Sequence, residues 1–315
     1  MNKAADRIAP SAPRRAVPHT MLRLRATQET PITSTIFHPH WLAALQASAR
    51  QPPRTPRQDL WLNGQLIGSV EPDSLMAVVS NGLTVRMGAF VLERSVADAG
   101  WHITGQGTQA LAHIAQALHA ANVGCVREQW RDEQLAVFND ANQQVATVER
   151  GVARLLGIPT RAVHLLGHTS DGRVWVQQRA LDKAIDPGLW DTLVGGMVPA
   201  CDNLTTALQR ETWEEAGIDF HRVMQLHAGG RLQVARPNAR DGGVGYVVEQ
   251  IDWFVGLIPD GVTPVNQDGE VAQFALLDRA ELTSQLEANA FTLDAALILS
   301  ADQALGGYKQ RSPYR

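Results

Sequence analysis

Glu211, Glu214 and Glu215 lie with Arg210 inside ALQRETWEEAGI (207–218), a stretch without proline that reads as a helix closed by Gly217. At about 100° per residue, Leu204, Ala207 and Leu208 form one stripe, and the three glutamates continue it. One face therefore turns from apolar to acidic halfway along. Like charges at these spacings repel by about 0.2–0.5 kcal/mol on an exposed helix, and the cost rises beside a buried stripe. A cation has to compensate. Arg210 neutralises part of the charge, and a hard divalent ion such as Mg²⁺ or Mn²⁺, which takes oxygen ligands, suits the remaining carboxylates. Asp202 is the expected N-cap. A solvated acidic face would explain the helix pattern equally well, so the residues around it decide.

Those residues are GGMVPACDNLTTALQRETWEEAGI (195–218). The segment resembles the Nudix box: Gly, five residues, Glu, seven residues, then Arg-Glu-U-x-Glu-Glu-x-Gly-U, with U a bulky apolar residue. Counted from Gly196, Arg210, Glu211, Glu214, Glu215, Gly217 and Ile218 fall on their marks. Asp202 stands where the pattern has Glu, and Thr212 where it has an apolar residue. The shorter Asp202 puts its place in a metal cluster in doubt. The resemblance implies an α+β fold with a mixed sheet between helices, a metal-dependent hydrolase activity on diphosphates, and metal ligation by Glu211, Glu214 and Glu215. It also implies that Arg210 orients the glutamates. Gly195 and Gly196 would let the backbone approach a diphosphate. A further acid is expected from a later loop, where NQDGEVAQF (266–274) offers Asp268 and Glu270, with Glu270 as candidate base or extra ligand.

Upstream, VWVQQRALDKAIDPGLWD (174–191) places Arg179, Lys183 and Pro187-Gly188 ahead of the box, a spacing similar to that of isopentenyl diphosphate isomerases and a subgroup of Nudix hydrolases. Arg179 and Lys183 are the expected clamp for a terminal phosphate. The isomerases carry a Cys where this chain has Gly195 and a His where it has Met197, so hydrolysis is preferred. From about residue 35 to 305 the chain resembles a two-domain group related to the Nudix half that fungi fuse to thiamin pyrophosphokinase. That resemblance implies cleavage of thiamin diphosphate or its oxidised forms to monophosphates. Trp190, with Tyr246 as second choice, is the expected platform for a heterocycle. A hydrolase of ADP-ribose or another nucleoside diphosphate derivative, an isomerase, and a non-catalytic ligand sensor stay open as alternatives.

The rest of the chain must position these groups. Its 315 residues, 44% of them hydrophobic, suffice for two domains. We read 1–30 as a flexible extension with Met21 as an alternative start, 31–157 as a smaller α+β domain, and 158–315 as the catalytic domain. Helices are expected over 37–49 and 108–124, the latter capped by Gly124. Asn63-Gly64 and Ser170-Asp171-Gly172 signal hairpins. Strands and helices mix without strict βαβ alternation, which argues for α+β. His164 and His168 are four apart on a strand and turn, a spacing that does not converge on a metal there, and are assigned to packing or the surface.

A net charge of −4 gives no basic field for nucleic acid. Cys125 and Cys201, far apart, suggest neither a disulfide framework nor a zinc site. No apolar run approaches the roughly 18 residues that span a bilayer. A soluble, cytoplasmic protein acting on a small-molecule diphosphate is expected, with no membrane or nucleic-acid partner and a homodimer left open.

Overall fold

A computed structural model of the chain describes residues 36–79, 84–87, 89–95, 97, 99–304 and 306. The expected extension over 1–30 and the alternative start at Met21 lie outside these. Two units follow the first helix. The first contains β1 (Gln58–Leu62), β2 (Gln65–Val70), β3 (Thr84–Met87), β4 (Phe90–Arg94), β5 (Trp101–Gly105), α2 (Gly107–Ala121), α3 (Val126–Gln129), β6 (Gln134–Phe138), β7 (Gln144–Glu149) and α4 (Arg150–Ala153). Its sheet runs β2-β1-β5-β4-β3, with β1 and β5 parallel, and β6 and β7 form a separate hairpin. Asn63 (φ 49°) and Gly64 (φ 77°) make the turn joining β1 to β2, with left-handed backbone at both central positions, as such two-residue turns require. Ile114, Leu111 and Leu118 of α2 enter the core beneath the sheet. The helix ends on Asn122, which adopts φ 51°, rather than on Gly124 as expected. Asparagine tolerates this conformation, and Gly124 takes a positive φ in the turn that follows.

The second unit contains β8 (Thr160–His168), β9 (Val174–Arg179), β10 (Trp190–Asp191), β11 (Val194–Met197), α5 (Leu204–Ala216), β12 (Met224–Pro237), β13 (Tyr246–Leu257), β14 (Val271–Leu277), α6 (Arg279–Glu287) and α7 (Leu293–Ala304). Its seven-stranded sheet is ordered β10-β9-β8-β13-β12, with β11 added to β8 and β14 to β9. β8 and β13 are parallel, and the other pairs are antiparallel. Strand alternation divides the core into two layers. Ala162 and Leu166 pack with α6 and α7 on one face, whereas Val163 and Leu165 pack with Ala207 and Leu208 of α5 on the other. The result is the α/β/α arrangement expected.

α1 (Pro39–Ala49) does not pack with the first unit, although it precedes it in the chain. Phe37, Leu42 and Ala49 are buried in the layer formed by α7 and β12. His38 N–H donates to the Glu287 carboxylate at 2.7 Å, and Gln51 N–H donates to the Ala235 carbonyl at 2.8 Å. A chain cut at 158 therefore loses part of the second core. Leu42→Ala should lower the unfolding free energy of the second unit by about 2–4 kcal/mol in urea titration, leaving a cavity beside α7. An unchanged midpoint would mean that α1 is only loosely docked.

Candidate active site

α5 is set by its ends. Asn203, not the expected Asp202, is the N-cap: its side chain accepts from the N–H groups of Thr205 and Thr206 at 2.9 and 3.0 Å, and Thr206 Oγ1 accepts from Asn203 N–H in return. That reciprocal cap frees Asp202 to accept from Arg210 Nε at 3.2 Å. Gly217 closes the helix with φ 61°, as expected. Thr212, at an apolar place in the pattern, is fully buried and donates its hydroxyl to the Leu208 carbonyl at 2.6 Å. Its polar atom is thereby satisfied.

The three glutamates differ in depth. Glu214 is 42% exposed, Glu211 12%, and Glu215 is buried. Arg210 Nη1 donates to Glu211 Oε1 and Glu214 Oε2, each at 2.9 Å. Burial opposes the Arg210 charge, but Glu211, Glu214 and Asp202 outweigh it and raise its pKa. Glu215 Oε2 accepts from Gly195 N–H at 2.8 Å and from Gln177 Nε2 at 2.9 Å. Burial first, and then the neighbouring Glu211, push its carboxyl well above the usual range despite these bonds. Burial likewise lifts Glu211 to about 7, against the pull of Arg210.

These groups face a cavity of about 670 Å³ between the two units. Nine carboxylates line it against six basic side chains, Arg131, Arg150, Arg154, Arg179, Lys183 and Arg210. Negative charge is in excess even with Arg210 in place. The oxygen-only donors Glu211, Glu214 and Glu215, two of them with pKa values raised chiefly by burial, fit a hard divalent cation. Among the described residues, no three acidic, histidine or cysteine side chains are already gathered as a metal centre. Arg210 instead draws Glu211 and Glu214 around its guanidinium.

Gly195 and Gly196 lie on β11. A Cβ on Gly195 would sit 2.5 Å from Cε1 of His164, and one on Gly196 would sit 2.1 Å from Oε1 of Glu211. Both positions are thus held small by the cavity wall itself, a reason distinct from approach to a phosphate. His164 is buried and its Nδ1 is 2.9 Å from Thr192 Oγ1. Because Thr192 spends its only hydroxyl proton on the Val194 carbonyl at 2.8 Å, Nδ1 is the donor to Thr192. Desolvation lowers the His164 pKa, with Asp191 pulling the other way, which favours the neutral ring. His164 lines the cavity, a place its strand context did not reveal. His168 pairs with Asp302, Nε2 to Oδ2 at 3.2 Å, in the buried interior.

Other expected residues fall differently. Arg179 donates through Nε and Nη2 to the Ile185 carbonyl at 3.1 and 3.0 Å and lies 3.6 Å from Asp191. Lys183 forms an ion pair with Glu270. Asp268 and Glu270 do reach the cavity rim, and Asp268 accepts from Glu270 N–H at 2.8 Å. Trp190, on β10, does not line the cavity: it pairs with Gln178 of β9 and packs on the core beside α7. Tyr246 is also elsewhere, with its hydroxyl donating to the Gln51 carbonyl at 2.7 Å. No Trp, Tyr or Phe is among the described residues lining the cavity, so the expected aromatic platform has no carrier there. Gln177, Arg131, Arg150 and Arg154 were not singled out by sequence. Gln177 begins the polar half of β9, VWVQQR, and nothing in that pattern sets it apart from Gln178.

The raised carboxyls make stability depend on pH. In the metal-free chain, the native state retains protons on Glu211 and Glu215 that the unfolded chain releases near the ordinary glutamate pKa of about 4.3. Stability should therefore fall as pH rises from there through about 7 for Glu211. Mg²⁺ should raise the melting temperature more at about pH 8 than at about pH 5, since ligation needs the ionised form. Thermal denaturation at both pH values, with and without Mg²⁺, checks the sign.

Residues 158–297 match the NUDIX domain family. The chain is 26% identical over 255 residues to Nudix hydrolase 24, chloroplastic, of Arabidopsis thaliana, covering 76% of this chain and 67% of that protein. It is 32% identical over 152 residues to Nudix hydrolase 20, chloroplastic, from the same plant, covering 46% of this chain and 38% of the relative. The solved structure of DR0079 from Deinococcus radiodurans superposes with a TM-score of 0.43 and 18% identity, over 54% of this chain and 99% of that one. In the second plant relative, the chain thus spans well under half of the length. Residues 158–297 therefore carry the match to the NUDIX domain, and the plant proteins that the chain resembles bear the name Nudix hydrolase.

Proposed function

We propose that the chain is a metal-dependent pyrophosphohydrolase that cleaves thiamin diphosphate, or an oxidised relative, to the monophosphate and orthophosphate. The observation that carries the hydrolase reading is the excess of carboxylate around Glu211, Glu214 and Glu215 in a cavity that also offers cations for phosphate. The same excess supports a substrate with a positively charged ring, such as a thiazolium, which the acidic lining attracts without an aromatic platform. The resemblance to the thiamin-linked group points the same way.

Glu211, Glu214 and Glu215 would hold Mg²⁺ or Mn²⁺. When bound, the ion stabilises negative charge developing on the diphosphate. Arg210 tethers Glu211 and Glu214 in one orientation, and Gln177 with Gly195 N–H fixes Glu215. Water attacks one phosphorus as the bridging P–O bond breaks, and its proton passes to an acceptor. Glu270, at the rim, is the proposed acceptor, with Lys183 ion-paired to it and fixing its position.

A phosphate-release screen with Mg²⁺ and Mn²⁺ tests the reading. Its substrates are thiamin diphosphates, nucleoside diphosphates, ADP-ribose, nucleotide sugars and isopentenyl diphosphate. A wide margin for ADP-ribose or a nucleotide sugar would overturn the thiamin assignment and leave the hydrolase assignment standing. Isomerisation of isopentenyl diphosphate would overturn both.

A further inference from the structure

Arg179 and Lys183, the expected phosphate clamp, have partners in the Ile185 carbonyl, Asp191 and Glu270. A second set of cations reaches the cavity from the first unit and the segment leaving it. Arg131 precedes β6, Arg150 opens α4, and Arg154 follows α4. All three line the main cavity and also an adjoining recess of about 60 Å³, where Gln129, Gly151, Ile185 and Met197 complete the wall.

Two of these guanidiniums have one carboxylate partner each, and the third meets carbonyls. Arg150 Nη1 meets Glu133 Oε2 at 2.7 Å, and Arg154 Nη2 stands 3.6 Å from Glu249 Oε1. Arg131 Nη1 donates to the carbonyls of Glu128 and Trp130 at 3.2 and 2.8 Å, which are neutral acceptors. Three like charges share one small recess, while the glutamates of α5 lie on the same cavity. An anion in the recess would relieve the repulsion and present several donors to tetrahedral oxygens, the geometry that arginine serves best. The apolar Ile185 and Met197 walls and the small volume restrict the occupant to a compact group.

We propose that this recess binds the terminal phosphate of the substrate, so that the first unit supplies the clamp expected on Arg179 and Lys183. The substrate class follows from this: a diphosphate with a free end phosphate is preferred over a bridged diphosphate such as ADP-ribose, which has no such end. The inference rests on the proposed diphosphate hydrolysis in the same cavity. Cleavage then leaves orthophosphate in the recess.

Two measurements on the full chain test it. The first needs no turnover: inorganic phosphate is titrated calorimetrically in the presence of EDTA into the natural chain, the Arg131→Gln/Arg150→Gln chain, and the milder Arg150→Lys chain. The double variant should bind at least about tenfold more weakly, with Arg150→Lys between the two, and with melting temperatures close to the parent. No phosphate binding by the natural chain, or equal binding by all folded variants, overturns the proposal. If the double variant does not fold, Arg150→Lys decides alone. The second compares the Michaelis constants of the double variant for the best end-phosphate substrate and for ADP-ribose. A rise of about tenfold or more confined to the former is expected, with kcat little changed, and an equal rise for both overturns the proposal. If nothing is hydrolysed even by the natural chain, the proposed function fails, and the calorimetry still decides whether the recess is a phosphate site.

Discussion

A Glu214→Gln chain is expected to keep its fold and lose about 10²-fold or more in kcat. Glu214 is 42% exposed, so an amide in its place costs little packing. It still accepts one hydrogen bond from Arg210, because the amide oxygen can occupy the position now held by Oε2. The charge is what disappears. Removing one anionic donor weakens the hold on a divalent ion and reduces stabilisation in the transition state, where a factor of 10² corresponds to about 2.7 kcal/mol. Raising Mn²⁺ should recover part of the rate if ligation is the cause. Steady-state kinetics across a metal titration checks this, and near-normal turnover at low metal would sink the assignment of Glu214 as a ligand.

Gly196→Ala should produce a comparable loss from a single methyl group. The added carbon would fall 2.1 Å from Oε1 and 2.2 Å from Cδ of Glu211, far inside van der Waals contact. The Glu211 side chain, or β11, has to move. The flexible carboxylate gives way more easily than a strand paired with β8 from Val194 to Met197, so Glu211 leaves its place beside Arg210. We expect a fall of about 10²-fold in kcat with about 1–3 kcal/mol of destabilisation. A double-mutant cycle with Glu211→Gln separates this from a general strain effect: if the methyl acts by displacing Glu211, the two changes together cost little more than either alone. Full additivity would show that the strand, and not the carboxylate, has moved.

The parts of this site that sequence could reveal are those governed by local geometry. Arg210, Glu211, Glu214 and Glu215 share a helix, and 3.6-residue periodicity alone ranks them along one face. Which of them is deepest depends on β9 and β11, so the burial of Glu215 under Gln177 and Gly195 was not readable. The cap moved by one residue because Asp202 and Asn203 are both good caps, and Arg210, eight residues away, claims Asp202. Trp190 and Tyr246 lie away from this cavity because a large aromatic is valued equally by a core and by a ligand, and tertiary packing placed Trp190 against the core. Arg131, Arg150 and Arg154 belong to no motif. Only the docking of one unit on the other brings them to the cavity.

The crossing of α1 into the second core bears on how the chain is made. The bond from His38 N–H to Glu287 joins positions 249 residues apart, and every residue of the first unit lies between them. Synthesis must run past Glu287 into α7 before α1 meets that helix, and until then Phe37 and Leu42 lack its cover. The intervening unit, whose strands and α2 contact one another within a shorter span, can form earlier and brings the two ends of the interrupted core closer together. Closing so long a loop is slow in relation to local pairing. During synthesis the nascent chain therefore holds an exposed apolar helix ahead of the first unit, the part of this architecture most open to capture by a chaperone or by another unfinished copy.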